Sequence, residues 1–256
     1  MSVLVVTGTG TGVGKTVVTA ALAALARDRG ASVAVVKPAQ TGVSPEEPGD
    51  LDEVRRLSGV EDLHEWARYP DPLSPAAAAR RSGAAPLDLD VAAGRLVGLA
   101  AGRRLVLVEG AGGLLVRYDE DGRTIADLAT RLSAPVLVVV SPGLGTLNAT
   151  ALTLEAVAAR GLGLAGVVIG AWPGEPDLAD RSNIRDLETL AARPLAGVLP
   201  AGAGRLAPPK FLALARAGLA PAYGGRFDPA EFRRAADPAD SGELRPAAEP
   251  APEGAP

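Results

Sequence analysis

Six short apolar runs, each rich in β-branched residues and separated by helix-like stretches, are the feature that most constrains the fold of this chain. The runs are continuous rather than alternating, which is typical of strands buried on both faces. Strands separated by helices are normally parallel and joined by right-handed crossovers. We therefore predict an α/β fold with a doubly wound, mostly parallel sheet flanked by helices. The predicted strands are residues 3–6, 32–37, 105–109, 135–141, 163–170 and 195–199.

A glycine- and threonine-rich segment, Thr-Gly-Thr-Gly-Thr-Gly-Val-Gly-Lys-Thr, occupies residues 7–16 directly after the first run. Its glycines let successive backbone N–H groups turn inward on an anion, Lys15 adds a point charge, and Thr16 can place a hydroxyl on Mg²⁺. The Ala- and Leu-rich stretch 16–29 predicts the helix that a phosphate loop requires. The usual loop has four residues between its outer glycines, whereas five separate Gly8 from Gly14. The segment therefore predicts a variant phosphate loop that binds a nucleoside triphosphate.

The composition of the chain reduces the number of functions that it could have. The net charge of −4 gives no basic footprint for nucleic acid, and the absence of Cys removes thiol chemistry from consideration. No basic leader and no apolar run of about 20 residues is present, so we expect a cytoplasmic protein that does not contact a membrane. We predict one catalytic domain, residues 1–236. Residues 237–256 are rich in Pro, Ala and Glu and are predicted to be a disordered tail.

The carboxyl ends of parallel strands meet at one edge of a sheet, where ligands bind. Segments 7–16, 37–41, 109–113 and 141–148 should therefore converge. Glu109 ends an apolar strand, as does the acid that serves the metal in phosphate-loop proteins, directly or through water. Lys37 ends the second predicted strand, and Pro38 holds it extended, so its ammonium should point into the ligand crevice.

Two features of this edge have more than one interpretation. Asp50, Asp52 and Glu53 open a predicted helix, where acids either favour the helix start or complete a Mg²⁺ shell with Thr16 and Glu109. The sequence does not choose among the three. Residues 141–148 precede a helix predicted at 150–160, and they form either an anion site at its free N–H groups or an ordinary capped turn.

Together these motifs resemble the dethiobiotin synthetase family over nearly the whole chain, to about residue 236. Residues 8–16 match the family pattern Gly-Thr-x-Thr-x-Val-Gly-Lys-Thr with its five-residue spacing. Three further motifs follow in family order: Lys-Pro at 37–38 with Thr-Gly at 41–42, Glu-Gly-Ala-Gly-Gly at 109–113, and Leu-Gly-Thr-Leu-Asn at 144–148.

The resemblance implies a ligase of biotin biosynthesis that forms C–N bonds. It would use ATP and Mg²⁺ to carboxylate diaminopelargonic acid with CO₂ and close the ring, giving dethiobiotin, ADP and phosphate. The family chemistry passes through an amine carbamate and a carbamic-phosphoric anhydride, so it needs positioning and charge stabilisation rather than a protein nucleophile. The resemblance also implies a homodimer whose substrate site lies at the subunit interface.

Residue roles carry over by motif. The implied catalytic residues are Lys37, Lys15 and Thr11, and the implied metal ligands are Thr16, Asp50 and Glu109. Nucleotide binding falls to Gly12, Val13, Gly14, Lys15, Thr16, Val17, Glu109, Trp172, Leu199, Pro200 and Ala201. Substrate binding falls to Thr11, Lys37, Thr41, Gly143, Leu144, Gly145, Thr146, Leu147 and Asn148, the last six from the neighbouring subunit.

Two departures from the family affect these expectations. Some members have Asn-Asp after the fifth predicted strand, where the Asn reads adenine, whereas this chain has Gly170 and Ala171. Base recognition would then rest on backbone groups near Trp172 and residues 199–202, which leaves a nucleoside triphosphate other than ATP open. Position 12 is Gly where other members carry an acid.

Two other classes share parts of the pattern. Switch ATPases that act in partition or positioning carry a second Lys early in the loop, where this chain has Gly10. Amidoligases of the cobyrinic acid type bring a glutaminase domain with a Cys nucleophile, and this chain has no Cys. Both features favour the dethiobiotin synthetase interpretation.

Overall fold

The computed structural model describes residues 3–237, so the predicted tail lies outside the described residues from position 238 onward. Within the described part, seven strands form one sheet in the order β3-β2-β4-β1-β5-β6-β7, and every neighbouring pair is parallel. The predicted doubly wound sheet is therefore confirmed. The strands are β1 (Val3–Gly8), β2 (Val33–Thr41), β3 (Leu63–Tyr69), β4 (Leu105–Glu109), β5 (Val136–Val140), β6 (Leu164–Trp172) and β7 (Gly197–Pro200).

Helices cover both faces of the sheet. They are α1 (Lys15–Asp28), α2 (Asp50–Ser58), α3 (Pro75–Ser82), α4 (Leu89–Gly102), α5 (Ile125–Arg131), α6 (Thr146–Ala159), α7 (Leu178–Ala191), α8 (Pro208–Gly218) and α9 (Pro229–Ala236). Short 3₁₀ turns lie at Ala203–Arg205 and Pro221–Tyr223. Successive strand residues point to opposite faces, so Val5 joins one apolar cluster and Val6 the other. One cluster packs under α1, α2 and α8, and the other under the remaining helices.

Strand β3 is the element that the sequence prediction missed. It has the sequence Leu-His-Glu-Trp-Ala-Arg-Tyr, and all of its residues except Tyr69 are only partly buried. An edge strand pairs on one side only and carries polar residues, so it lacks the continuous apolar run of a central strand. Its pairing also lengthens β2, because Ala39, Gln40 and Thr41 lie opposite residues of β3.

Two predicted boundaries were wrong, one at the end of β2 and one at the start of α6. The extension of β2 to Thr41 places Lys37 inside the strand rather than at its end. Helix α6 begins at Thr146, four residues before the predicted start at position 150. The Thr146 hydroxyl donates to the carbonyl of Ser141 at 2.6 Å and so ties the first helical residue back to the end of β5. Thr146, Leu147 and Asn148 are therefore the first turn of the helix, not the loop before it.

The phosphate loop is seated against β6. Gly14 has a left-handed φ of 99°, and a Cβ built there would lie 2.5 Å from the carbonyl oxygen of Gly170. A Cβ at Gly170 would lie 2.1 Å from the carbonyl oxygen of Val13. Since real Cβ atoms do not approach this closely, the loop and the strand require glycine on both sides.

Candidate active site

A cavity of about 640 Å³ opens at the carboxyl edge of the sheet. It joins the phosphate loop to the ends of β2 and β4, which are three of the four segments that were predicted to converge. The predicted site residues of the phosphate loop and its helix, residues 11–17, all line the cavity except Val13, which is buried. The other predicted residues that line it are Lys37, Thr41, Asp50 and Glu109.

Lys37 is the most constrained charge in this cavity. Its side chain is 4% exposed, and its Nζ lies 2.8 Å from Oε1 of Glu109, whose side chain is fully buried. The same ammonium pairs with Asp50. Burial alone lowers the pKa of Lys37, but the two carboxylates outweigh it and raise the pKa well above its usual range. Lys37 therefore stays an ammonium at any physiological pH.

The structure distinguishes the three acids at the start of α2. Asp50 contacts Lys37, and its pKa lies below the usual value because Lys37 and the Thr16 hydroxyl outweigh the raising effect of burial. Asp52 instead accepts the backbone N–H of Gly49 at 2.8 Å in a capping box. Glu53 pairs with Arg56 at 2.6 Å. Only Asp50 of the three lines the cavity.

Lys15 lies at the base of the phosphate loop and is nearly buried, with 7% of its surface exposed. Its Nζ donates to the carbonyl of Gly10 at 2.7 Å. Burial, and then the nearby charge of Lys37, lower the pKa of Lys15 from 10.5 to about 8. An anion placed beside Lys15 and Lys37 would therefore relieve an existing repulsion between them.

The oxygen atoms beside Lys37 fit a magnesium ion. Thr16 Oγ1 donates to Oε1 of Glu109 at 2.9 Å, and Oε2 of Glu109 is buried without a hydrogen-bond partner among the described residues. Such an orphaned carboxylate oxygen is costly unless a ligand completes it. Within residues 3–237 no three acids, His or Cys cluster closely enough to hold a metal by themselves. Two carboxylates and a hydroxyl are the set that Mg²⁺ uses when phosphate oxygens and water complete its shell.

Several residues that line the cavity or support its wall from behind were not predicted as site residues. Gln40 is buried in β2, accepts the backbone N–H of Asp50 at 3.0 Å and donates to the carbonyl of Thr41 at 3.2 Å. The Tyr118 hydroxyl, fully buried, accepts the backbone N–H of Ala111 at 2.8 Å and so supports the turn after β4. One wall comes from Pro72, Leu73, Ser74 and Pro75, between β3 and α3. Gln40 and residues 72–75 lie beside or just after β3, which was itself missed.

The remaining predicted residues lie outside this cavity. Gly143, Leu144, Gly145, Thr146, Leu147 and Asn148 sit at the end of β5 and the start of α6, and none of them lines it. The same holds for Trp172, Leu199, Pro200 and Ala201 at the ends of β6 and β7. Here the Ala201 N–H donates to the Trp172 carbonyl at 2.7 Å, so two of the backbone groups suggested for base recognition already pair with each other.

Comparison with known proteins agrees with the geometry. A family model described as an AAA domain matches residues 2–204. The MinD septum site-determining protein of Pyrococcus horikoshii, solved with Mg-ADP, is 17% identical with a TM-score of 0.53, and the match covers 94% of this chain and 96% of that one. A ParA family ATPase of Chlorobium tepidum is 14% identical, with a TM-score of 0.52 over 83% of this chain and 91% of that one. These likenesses show the fold.

Curated relatives are much more similar in sequence. The ATP-dependent dethiobiotin synthetase BioD of Frankia casuarinae is 70% identical over 91% of this chain and 98% of its own length. The protein of the same name from Parafrankia sp. is 69% identical over 91% and 98%. That from Streptomyces coelicolor is 57% identical over 84% and 90%.

Fold and loop together define the class as a nucleoside triphosphatase of the phosphate-loop type. Within that class, the chain belongs to the ATP-dependent dethiobiotin synthetase family. The four motifs that carried the resemblance in the sequence lie within residues 2–204, the range that the family model matches.

Proposed function

We propose that this chain makes dethiobiotin from diaminopelargonic acid and CO₂, converting ATP to ADP and phosphate, as a ligase of biotin biosynthesis. Family membership supports the reaction. The observation that carries it is the buried ammonium of Lys37, held in the cavity of the phosphate loop by two carboxylates. A nucleotide switch needs no second buried cation beyond its loop, whereas a ligase must also hold an anionic acceptor against the γ-phosphate.

The proposed reaction has three balanced steps. One substrate amine adds to CO₂ and loses a proton, giving a carbamate. A carbamate oxygen then attacks the γ-phosphorus, and the bond to the ADP oxygen breaks, leaving a carbamic-phosphoric anhydride and ADP. The second amine attacks the carbamoyl carbon, loses a proton and displaces phosphate as the ring closes. No bond to the protein forms, in agreement with a chain that contains no Cys.

Charge stabilisation falls to the two lysines. We assign Lys15 to the β- and γ-phosphate oxygens, because it stands within the loop that wraps them. Lys37 serves the carbamate and the transferred phosphoryl oxygens. Thr11 and Thr41 line the same cavity and are assigned to the carbamate and the substrate amines. Thr16, Asp50 and Glu109 would hold Mg²⁺, which would supply positive charge against the negative charge that develops on the phosphate oxygens during transfer.

The contacts of Lys37 with its two carboxylates indicate how the site is prepared. Lys37 neutralises Glu109 and Asp50, the same carboxylates that we assign to the metal. Once those carboxylates have another counter-charge, Lys37 can exchange them for the oxygens of the carbamate. Because this exchange would replace one anionic partner of Lys37 by another, the charged form stays favoured, so Lys37 acts as a fixed cation rather than as an acid or base.

We further propose that the active unit is a homodimer in the cytoplasm. The start of α6 lies outside the chain's own cavity, yet it exposes apolar surface, with Leu144 93% and Leu152 59% exposed. Exposed apolar patches of this kind support an interface with another protein surface. In the proposed dimer, residues 143–148 of one copy bind the substrate carboxylate in the cavity of the other. No helix within residues 3–237 is long and apolar enough to cross a bilayer.

The test uses the full chain with ATP, Mg²⁺, diaminopelargonic acid and ¹³C-bicarbonate. We expect phosphate release only when both the diamine and bicarbonate are present, with the label in the ring carbonyl of the product by mass spectrometry. Replacing ATP by other nucleoside triphosphates measures base specificity in the same assay. If the rate of phosphate release does not depend on the diamine and is instead increased by DNA or lipid vesicles, the ligase assignment is overturned in favour of a switch ATPase.

A further inference from the structure

Arg68, on the edge strand β3, makes a set of contacts that the reaction as proposed above does not use. Its guanidinium holds the Glu65 carboxylate by two hydrogen bonds, from Nε at 2.6 Å and from Nη2 at 2.9 Å. Nη1 donates to two backbone carbonyls of the segment before α2, those of Ser44 at 3.0 Å and Glu47 at 2.6 Å. A planar guanidinium can make these contacts at once, whereas an ammonium cannot hold both the carboxylate and the segment in this way.

The segment that Arg68 holds leads directly into Asp50. Gly49 lies between two side chains, since a Cβ built there would be 2.8 Å from Nη2 of Arg68 and 3.0 Å from Oε1 of Gln40. The same Oε1 of Gln40 accepts the backbone N–H of Asp50. Gln40 and Arg68 are directly opposed across the pairing of β2 and β3. Gln40 of β2 and Arg68 of β3 thus both contact the backbone immediately before Asp50.

We infer that Arg68 is a positioning residue: by holding residues 44–49 against the sheet edge, it fixes where the Asp50 carboxylate meets Lys37 and Thr16. This inference rests on the proposed role of Asp50 toward the metal. Asp50 needs such support, because its side chain is 33% exposed while its partner Lys37 is 4% exposed. Glu109 needs none, since its strand carries it into the core.

Electrostatics alone would predict the opposite effect of losing Arg68. The guanidinium is a cation that interacts with both Asp50 and Asp52. Removing a cation near a metal site strengthens the attraction of that site for Mg²⁺ or Mn²⁺. A positioning role predicts weaker binding instead, because the Asp50 oxygens are no longer held in place. The sign of the change in metal affinity therefore distinguishes the two.

The test measures Mn²⁺ binding to the full chain with ADP by electron paramagnetic resonance. We expect Arg68→Gln to raise the Mn²⁺ dissociation constant about tenfold, as losses of residues behind a metal ligand do. ADP affinity without metal should stay unchanged. The matched control is Arg193→Gln, because Arg193 donates to the carbonyl of Leu164 at 2.7 Å at the opposite edge of the sheet. Unchanged or tighter Mn²⁺ binding in Arg68→Gln would overturn the inference.

A second variant disturbs the contact between Arg68 and residues 44–49 by a change in that segment, and it leaves the charge of Arg68 in place. Gly49→Ala places a methyl group against Arg68 and Gln40 at a φ of −102°, which any residue adopts. It should weaken Mn²⁺ binding in the same direction as Arg68→Gln. Gly98→Ala is its control, since no atom lies within 4 Å of a Cβ at that exposed position of α4. Normal Mn²⁺ binding in Gly49→Ala would contradict the inference.

Asp50→Asn separates failure of this inference from failure of the proposed metal role. If Asp50→Asn leaves Mn²⁺ affinity unchanged, the metal role of Asp50 is overturned. Hydrogen exchange of the amides in residues 44–53 then decides the positioning role on its own. Faster exchange in Arg68→Gln than in the wild type and Arg193→Gln supports it, and equal exchange overturns it.

Discussion

The carboxyl edge of the sheet has two unlike halves. At the ends of β1, β2 and β4, buried charges neutralise one another: Lys37 pairs with Glu109 and Asp50 within a cavity that is closed on one side by the loop after β3. At the ends of β5, β6 and β7, the start of α6 presents apolar side chains to solvent. A set of charges can be completed within one chain, whereas an apolar surface is completed only by something that covers it. The charges of the first half therefore find their partners within one chain, whereas the apolar surface of the second half is where we expect a partner copy.

The largest effect should come from the first half. Lys37→Met leaves Glu109 and Asp50 without their cation, and the carbamate without its counter-charge. We expect turnover to fall by about 10³-fold, the upper range for losing one charge-stabilising donor, while ADP still binds. Product formation by mass spectrometry and ADP binding by calorimetry measure the two, with circular dichroism to verify folding. Lys210→Met is the control, since Lys210 is exposed on α8. Turnover within tenfold of the wild type would exclude Lys37 from the mechanism.

A smaller and different effect should come from the second half. Replacing both Leu144 and Leu152 by Asp puts charges on the apolar surface that each copy contributes to the proposed interface, which disfavours association. We expect the molar mass by light scattering to halve and the KM for the diamine to rise on the order of tenfold, as removal of an interface subsite does. ADP affinity should not change. Leu178→Asp on α7, where Leu178 is 82% exposed, controls for surface charge. A double variant that keeps both mass and KM would place the substrate site within one chain.

A third effect, of about the same size as the second, tests the role of Lys15 in the phosphate loop. Lys15 has a pKa of about 8 in the free protein, lowered by burial and by Lys37, and a bound triphosphate favours its charged form. Below that pH, Lys15 already carries its proton before the nucleotide binds. Above it, Lys15 must take up a proton when the nucleotide binds. ADP affinity should therefore fall about tenfold from pH 7 to pH 9. Calorimetry at pH 8.5 in buffers of different protonation enthalpy should detect uptake of up to about one proton, absent in Lys15→Ala.

The lowered pKa of Lys15 also fixes the direction in which its contribution to the free energy of unfolding changes with pH. The Lys15 pKa is lower in the folded chain than the unperturbed value of 10.5, so between about pH 8 and 10.5 the unfolded state binds more protons. The contribution of Lys15 to the free energy of unfolding therefore rises with pH across that window. Denaturant unfolding of the wild type and Lys15→Ala measures the difference. Parallel pH profiles for the two proteins would show that Lys15 keeps its ordinary pKa.

The central strands and the phosphate loop were predictable, because their signals are local. Continuous apolar runs mark buried parallel strands, and Gly-Lys-Thr between a strand and a helix marks an anion site. Glu109 followed from its place at the end of such a run. These residues are positioned by the chain immediately around them, so the sequence at each point was sufficient.

The contacts of Asp50, Gln40 and Arg68 were not predictable, because they depend on the register of a strand whose sequence has no apolar run. Gln40 faces Arg68 only because β3 pairs with β2 in that register. Likewise, three acids within four residues are equivalent in the sequence until the helix axis is placed. The early start of α6 was missed because Thr146 is tied to Ser141 by a side-chain bond rather than by the helical pattern.

The contact of Gly170 with the phosphate loop limits how this enzyme could be redesigned. A Cβ at Gly170 would lie 2.1 Å from the Val13 carbonyl oxygen, so no larger residue fits there while the loop keeps its place. The adenine-reading Asn that the family resemblance suggests for some members therefore cannot replace Gly170 by one substitution while the loop keeps its place. A side chain at position 170 would therefore have to move the phosphate loop as well, which couples the end of β6 to the loop that holds the phosphates.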